Sequence, residues 1–354
     1  MTEPSDCLEC IGSSGVFVVN DPGLYDLRVT VLFDDLTFEI VEKEIEVDPG
    51  LTLVLSTPEL PSSPPTRMAI SDNYVWVADF GSHLSATNIE VLMEPQVGQD
   101  FHVADSMVTG LTSFGDIGIV STLMHGILAY SPTGEEIWSL PDACPGTRFV
   151  AIRNDILIAG CYGGVELYRL SNSGSPELLS DQSISWEDFS PSVGFLRGDY
   201  LIIHDSYRQE IRVFDISALD EGSQSQGDPG VDWLSFEFSI EANYLAADAD
   251  ISDDYLAIAL GAELRLYDLS SGETPILVVP GEVRGVSISA DQQRLYATVG
   301  SAVIEVEIGL TEPRVLEVLG VGGSDLKFCT IREQKLLMTS SSNILKVISA
   351  IDLH

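Results

Sequence analysis

An apolar strand preceded by a polar turn recurs along this 354-residue chain, and the recurrence limits the folds that the chain can adopt. The strand starts are spaced 43, 39, 44, 55, 40 and 41 residues apart, at Tyr74, Ile117, Ile156, Tyr200, Tyr255, Leu295 and Leu336. A turn such as Ser71-Asp72-Asn73 and a short strand such as Arg67–Ile70 come before each start. A period of this length indicates one supersecondary unit that is repeated several times.

The remainder of each repeat supplies two more strands. The third alternates apolar with polar residues, as in Val165–Leu170 and Glu210–Asp215, which is typical of a strand with one packed face. The fourth is short and often begins with proline, as in Pro275–Val279, which an edge strand tolerates. Four antiparallel strands in about 40 residues form one blade of a β-propeller. The sequence therefore predicts an all-β, seven-bladed propeller with very little helix.

The two ends of the chain depart from the four-strand repeat. The last repeat contains only three strands, so we expect the segment 51–57 to supply its outer strand and close the propeller, which would span residues 51–354. Residues 1–50 would form a small β extension with a hairpin between Tyr25–Val31 and Phe38–Val47. A competing interpretation makes residues 15–57 an eighth blade.

Three segments resemble known families. Tyr267–Gly272 resembles the strand end of a WD40-type blade, and Ser289–Tyr296 is similar to the turn and strand of YVTN-type blades. Residues 22–50 resemble the closing half of a prealbumin-like sandwich. These resemblances imply a fold and no particular activity. The Gly-His and Trp-Asp pairs of a strict WD40 repeat are missing, so that family's interaction rules do not transfer to this chain.

The charge balance excludes several classes of partner. With 17 basic and 55 acidic residues, the formal net charge is −38. Nucleic acids and anionic membrane surfaces need clustered Lys and Arg, which the chain lacks. The acidic groups would serve either as a solvated surface or as an attraction for cations or a basic partner. No apolar run is long enough for membrane insertion, and the residues Met1–Asp6 do not have the pattern of a signal peptide.

The cysteines provide evidence about the cellular compartment of the protein. Cys144 precedes a first strand and Cys161 ends a second strand, and in propeller topology both positions lie on the top face, the face at which second strands end. We predict a disulfide between them, against the alternative of two free thiols. A disulfide favours an extracellular, periplasmic or cell-surface location. Cys7 and Cys10 have C-x-x-C spacing without the second pair that a zinc site needs.

The candidate binding residues lie on the predicted top face. Polar side chains follow the second strands of three blades and come close to three of the five histidines; this rim set is Asp79, His83, His125, Trp186, His204, Asp205, Tyr207 and Arg208, with Asp188 beside Trp186. Imidazole and carboxylate groups suit a divalent metal ion, with Asp79, His125, His204 and Asp205 as the candidate ligands. The alternative is that each histidine only makes a loop hydrogen bond.

Three functional hypotheses remain. No nucleophile elbow, H-E-x-x-H motif or phosphate-binding loop is present, so catalysis is uncertain and a non-catalytic binding or scaffold propeller is favoured. We expect that protein to be a monomer without a cofactor that recognises a protein or small-molecule ligand. The first alternative is a metal-dependent hydrolase or lactonase with one divalent ion. The second is a lectin that uses exposed aromatics such as Trp186 and Tyr207.

Overall fold

Antiparallel β-strands dominate the fold. The computed structural model describes residues 23–32, 38–47, 51–56, 65–71, 73–79, 82–89, 96–103, 106–144, 146–171, 174–179, 184–185, 190–221, 234–271, 274–309, 312–320, 326–332, 335–340 and 345–350. The helix α1 (Ala218–Glu221) has only four residues. Among the described residues, no helix is long and apolar enough to cross a membrane.

The strands fall into four positions within the repeat. The first strands are β4 (Pro65–Ile70), β8 (Val108–Phe114), β12 (Phe149–Arg153), β17 (Pro191–Arg197), β21 (Asp248–Ile251), the second half of β24 (Pro275–Ile288) and β28 (Leu326–Arg332). The second strands are β5 (Tyr74–Asp79), β9 (Ile117–Thr122), β13 (Ile156–Cys161), β18 (Tyr200–Asp205), β22 (Tyr255–Ala259), β25 (Arg294–Val299) and β29 (Lys335–Ser340). The third strands are β6 (His83–Asn88), β10 (Gly126–Tyr130), β14 (Gly164–Ser171), β19 (Glu210–Asp215), β23 (Gly261–Asp268), β26 (Ala302–Glu307) and β30 (Leu345–Ala350). The fourth strands are β7 (Gln96–His102), β11 (Glu136–Leu140), β15 (Gly174–Leu178), β20 (Ser235–Glu241), the first half of β24, β27 (Arg314–Gly320) and β3 (Leu51–Ser56).

Four-stranded antiparallel blades, numbered 1 to 7 in the order of their first strands, confirm the predicted blade architecture. Blade 3 carries an additional short strand, β16 (Ile184–Ser185), which pairs with β14. Blades 5 and 6 share one seven-stranded sheet because β24 continues from the outer edge of blade 5 to the inner edge of blade 6. The sequence had suggested two separate strands here.

The first strands form the inside of the molecule. Each contacts the first strand of the next blade, in the order β4, β8, β12, β17, β21, β24, β28 and back to β4. Six of them, β4, β8, β12, β17, β21 and β28, are the terminal strands of their sheets, so one backbone edge of each lacks a neighbouring strand among the described ones and faces the centre.

The segment before blade 1 contributes to the last blade. β3 pairs antiparallel with β30, from Leu51 opposite Ala350 to Ser56 opposite Lys346, which is the pairing expected for the segment 51–57. The strands β1 (Gly23–Leu32) and β2 (Phe38–Val47) pair only with each other, as the predicted hairpin. An eighth four-stranded blade is therefore not formed by these strands. Cys7 and Cys10 lie outside the described residues.

The hydrophobic core lies between neighbouring blades. The cluster between blades 3 and 4 includes Phe149, Ile158 and Leu167 from one blade and Leu201 and Ile203 from the next. Similar clusters lie between blades 1 and 2, 2 and 3, 4 and 5, and 5 and 6. A second strand such as β13 is buried at every position because both of its faces are covered by other blades.

The polar turn of the repeat links adjacent blades on the face opposite the top face. The Asn73 amide donates to the Asp116 carboxylate of blade 2 at 3.1 Å. Arg153 donates to the Gly198 carbonyl and the Asp199 carboxylate of blade 4, both at 2.6 Å. These turns therefore hold blades together in addition to reversing the chain.

Candidate functional site

The polar residues at the ends of the second strands organise the turns that follow them. Asp79 Oδ1 accepts the His83 backbone N–H at 2.8 Å, and Thr122 Oγ1 accepts the His125 backbone N–H at 3.0 Å. Asp205 Oδ1 accepts the backbone N–H of Tyr207 at 3.1 Å. Side chains that bond to the backbone a few residues ahead stabilise tight turns. This role explains why the polar group recurs at one position of the repeat.

Blade 1 brings together two of the predicted rim residues, Asp79 and His83, and a further histidine, His102, that is not in that set. His83 Nδ1 lies 3.0 Å from Oδ2 of the buried Asp79. The imidazole of His102, at the end of β7, lies edge-on to that of His83 at 5.5 Å between centroids, and its Nε2 is 3.2 Å from Ser82 Oγ. The cross-strand pairing of His83 with His102 produces this contact, and only the strand register reveals it.

His204 and Asp205 are neighbours in β18 and make separate contacts. His204 Nδ1 is hydrogen-bonded to Ser192 of the adjacent first strand, and burial lowers the pKa of the imidazole below its usual 6.5. The Asp205 carboxylate is fully buried, and its Oδ2 lies 3.9 Å from both Arg208 and Arg212. His204 is therefore bound to the neighbouring first strand, whereas Asp205 is bound to the turn and the third strand that follow it.

The four candidate metal ligands are not gathered at one point. Within the described part of the chain, ligand atoms of three or more His, Cys, Asp or Glu residues lie within 4.8 Å of one another only at Cys144, Cys161 and Glu166. His125 is exposed on its turn in blade 2, whereas Asp79 is buried in blade 1 and His204 and Asp205 are buried in blade 4. Trp186 and Asp188 lie outside the described residues.

Cys144 and Cys161 lie together on the top face, as the topology argument predicted. Their sulfurs are at disulfide distance, and their Cα atoms are 5.3 Å apart. Both side chains are buried. Cys161 is followed by the two-residue turn Tyr162-Gly163, so the cysteine pair lies directly beneath an exposed loop.

Exposed apolar side chains form a second feature of the top face, of which the sequence analysis identified only Tyr207. They lie in the turns of blades 2, 3 and 4 and in the connection from blade 4 to blade 5. We call this set the apolar arc; its members are Leu123, Met124, Tyr162, Tyr207, Tyr244 and Leu245. Met124 is 74% exposed and Tyr162 is 75% exposed. The sequence signal that could have revealed the arc is the presence of large apolar residues in short turns.

The centre of the molecule contains a cavity of about 380 Å³ that the sequence did not indicate. The first strands of blades 1 to 4 and the start of β21 line it, and its charged lining residues are Arg67, Arg197 and Asp248. Arg197 Nη2 lies 3.1 Å from Asp248 Oδ1, and its Nε lies 3.3 Å from Asp250 Oδ1. These side chains come from three first strands that are far apart in the sequence.

Both carboxylates of this network also bind the backbone of blade 6. Asp248 Oδ2 accepts the Val286 N–H at 3.1 Å, and Asp250 Oδ2 accepts the Ile288 N–H at 2.7 Å. The two N–H groups belong to the inner part of β24, where the strand edge would otherwise leave donors unsatisfied. The network therefore joins blades 4, 5 and 6.

Comparison with known proteins supports the fold. The sequence matches no protein-family model and no curated protein. The structure is similar to the WD40 β-propeller domain of Doa1, with a TM-score of 0.59 and 8% identity over 85% of this chain and 97% of that one. It is also similar to the β-propeller domain of Cps50 (Swd1) from Myceliophteria thermophila, with a TM-score of 0.57 and 9% identity over 85% and 99% of the two chains. The predicted WD40-like fold is thus confirmed, and identities this low carry the fold alone.

Proposed function

We propose that this protein is a binding scaffold that docks a protein partner on the apolar arc of its top face. The observation that supports the proposal is the distribution of exposed apolar groups. Other exposed large apolar side chains, such as Val278, Val315 and Leu316, lie on outer strands, whereas the arc occupies consecutive turns of one face. Contiguous exposed apolar groups mark interaction sites, and aromatic residues dominate the energy of such interfaces.

The turns that carry the arc are held by hydrogen bonds. Leu123 N–H donates to the Met107 carbonyl at 3.1 Å, and Met124 N–H donates to Ser106 Oγ at 3.1 Å. Ala242 N–H, next to the Tyr244 loop, donates to the Gln209 carbonyl at 2.8 Å. A surface whose backbone is already ordered loses less conformational entropy on binding. The arc therefore suits recognition of a folded or extended protein segment.

The charge of the chain constrains the partner. A net charge of −38 repels acidic proteins and nucleic acids at long range and accelerates encounter with basic ones. Arg208, beside Tyr207, is a half-exposed cation at the arc and is close to the buried Asp205. We propose a partner that combines apolar anchors with basic flanking residues, bound by a monomeric scaffold.

Site-specific photocrosslinking tests the surface. A photoreactive amino acid at position 162 is expected to capture a partner from the native extract, whereas the same group at position 315 is expected to capture none. Tyr162→Ser in the unlabelled protein should weaken binding of the captured partner by about tenfold or more, because an exposed aromatic anchor is lost. The measurement is the dissociation constant by calorimetry.

The matched control is Val315→Ser, which removes an exposed apolar group of an outer strand. It should leave the affinity unchanged. Equal weakening by both variants, or crosslinks from position 315 alone, would place the interaction on the outer strands and contradict the proposal. Thermal unfolding of both variants checks that the fold is intact.

We further propose that the protein works outside the cytoplasm with Cys144 and Cys161 joined by a disulfide, a location supported by the proximity of the two sulfurs. Protein isolated from its native source is expected to resist alkylation at these positions until it is reduced. Peptide mass spectrometry with and without reductant makes the measurement. Alkylation of both cysteines before reduction in unfolded, freshly isolated protein would contradict this proposal.

A further inference from the structure

Arg67 is a partly buried cation on the wall of the central cavity. Its Nε donates to the Thr109 carbonyl at 3.0 Å, and its Nη1 donates to the Thr66 carbonyl at 2.7 Å. A guanidinium has five N–H donors in a fixed planar arrangement. Several donors of Arg67 therefore remain without an acceptor among the described residues.

The second cavity arginine provides a contrast. Arg197 lies within 3.3 Å of carboxylate oxygens of both Asp248 and Asp250, so its charge is compensated by direct ion pairs. Across the described part of the chain, no carboxylate forms an ion pair within 4.0 Å of the Arg67 guanidinium; burial lowers the pKa of Arg67, and only the more distant charge of Asp248 opposes this effect. Burial of a charge is costly unless an opposite charge pairs with it.

We propose that the central cavity binds a small hydroxy-carboxylic acid, whose carboxylate pairs with Arg67. The volume of about 380 Å³ falls in the usual range for small-molecule pockets, roughly 300–1,000 Å³. A planar carboxylate matches the fork of N–H groups that a guanidinium presents.

The rest of the lining defines the class of ligand. The cavity is bounded by first strands with one unpaired backbone edge, and such edges offer N–H and C=O groups to hydroxyl groups of a ligand. Asp248 and the acidic chain as a whole oppose additional negative charge. These features favour a singly charged polyhydroxy acid over a dicarboxylate, a tricarboxylate or an apolar acid.

Gluconate is the probe, with glucose and citrate as matched compounds that lack the carboxylate or carry additional ones. We expect calorimetry on the full chain to show saturable binding of gluconate, with glucose and citrate at least about tenfold weaker. Arg67→Met should weaken gluconate binding by about tenfold or more, because the charged pair is removed. Arg284→Met, which removes an exposed arginine paired with Glu282, should leave it unchanged.

Arg67→Lys provides a second variant if the methionine substitution prevents folding. It keeps the charge and loses the planar fork, so gluconate should bind it several-fold more weakly than the wild type. The proposal is overturned if the wild type does not bind gluconate, if glucose binds as well as gluconate, or if the folded Arg67 variants bind it with unchanged affinity. These outcomes do not depend on whether the apolar arc binds a protein.

Discussion

Replacement of Gly160 by alanine is expected to lower the free energy of unfolding by about 3 kcal/mol, because the new methyl group has no space. A Cβ at this position would lie 1.9 Å from Cε1 of Phe149, which is 2% exposed and is the cross-strand partner of Gly160. The ring cannot move away, since a Cβ built on Gly194 of blade 4 would already approach it to 2.6 Å. Equilibrium unfolding in urea measures the change.

Two companion variants separate crowding from backbone effects. Gly300 has φ +57°, and a methyl group added to it would have no neighbouring atom within 4 Å, so Gly300→Ala should cost only about 1 kcal/mol, through the left-handed backbone. The double variant Gly160→Ala/Phe149→Leu should be more stable than the sum of the single changes by about 1 kcal/mol or more, because the smaller side chain relieves the clash. Strict additivity would show that Phe149 is not what limits the space at Gly160.

Much of the fold follows from the repeat, because hydrophobic periodicity and turn chemistry act locally. Five second strands, including β5 and β18, begin at the predicted residue, and the other two begin one residue earlier. The continuous strand β24 was missed because Pro275 and Pro280 suggest interruptions. The structure shows that an edge strand can include both prolines and continue into the next blade.

The candidate site was less predictable because it depends on contacts between blades. Asp79 and Asp205 were correctly placed at the ends of second strands, yet their bonds to the following turns emerge only from the three-dimensional structure. Arg67 and Arg197 have the sequence context of ordinary strand and turn residues. Only the circular arrangement of the first strands brings Arg197 to Asp248, 51 positions along the chain.

Asp248 has a further consequence, because its ionisation is coupled to stability. Its side chain is 7% exposed, and burial raises its pKa from 3.8 to about 6 against the opposing effects of Arg197 and the Val286 N–H. The folded protein therefore binds a proton at Asp248 more tightly than the unfolded chain does. Stability that depends on this proton is present at pH values below about 4 and is lost as the pH rises through about 6.

Asp248→Asn should remove this dependence. Between about pH 4 and about pH 7, the wild type is expected to lose about 2 kcal/mol of unfolding free energy relative to Asp248→Asn, slightly less than the whole pKa shift implies because the unfolded carboxyl is already partly ionised at pH 4. Urea unfolding at the two pH values measures the difference, with Asp253→Asn at an exposed position as the control for lost charge. An unchanged difference would contradict the prediction, and one of opposite sign would mean that the Arg197 ion pair outweighs burial. In that case Asp248 would be a fully ionised link between blades 4, 5 and 6, and its contribution to stability would instead be lost in acid.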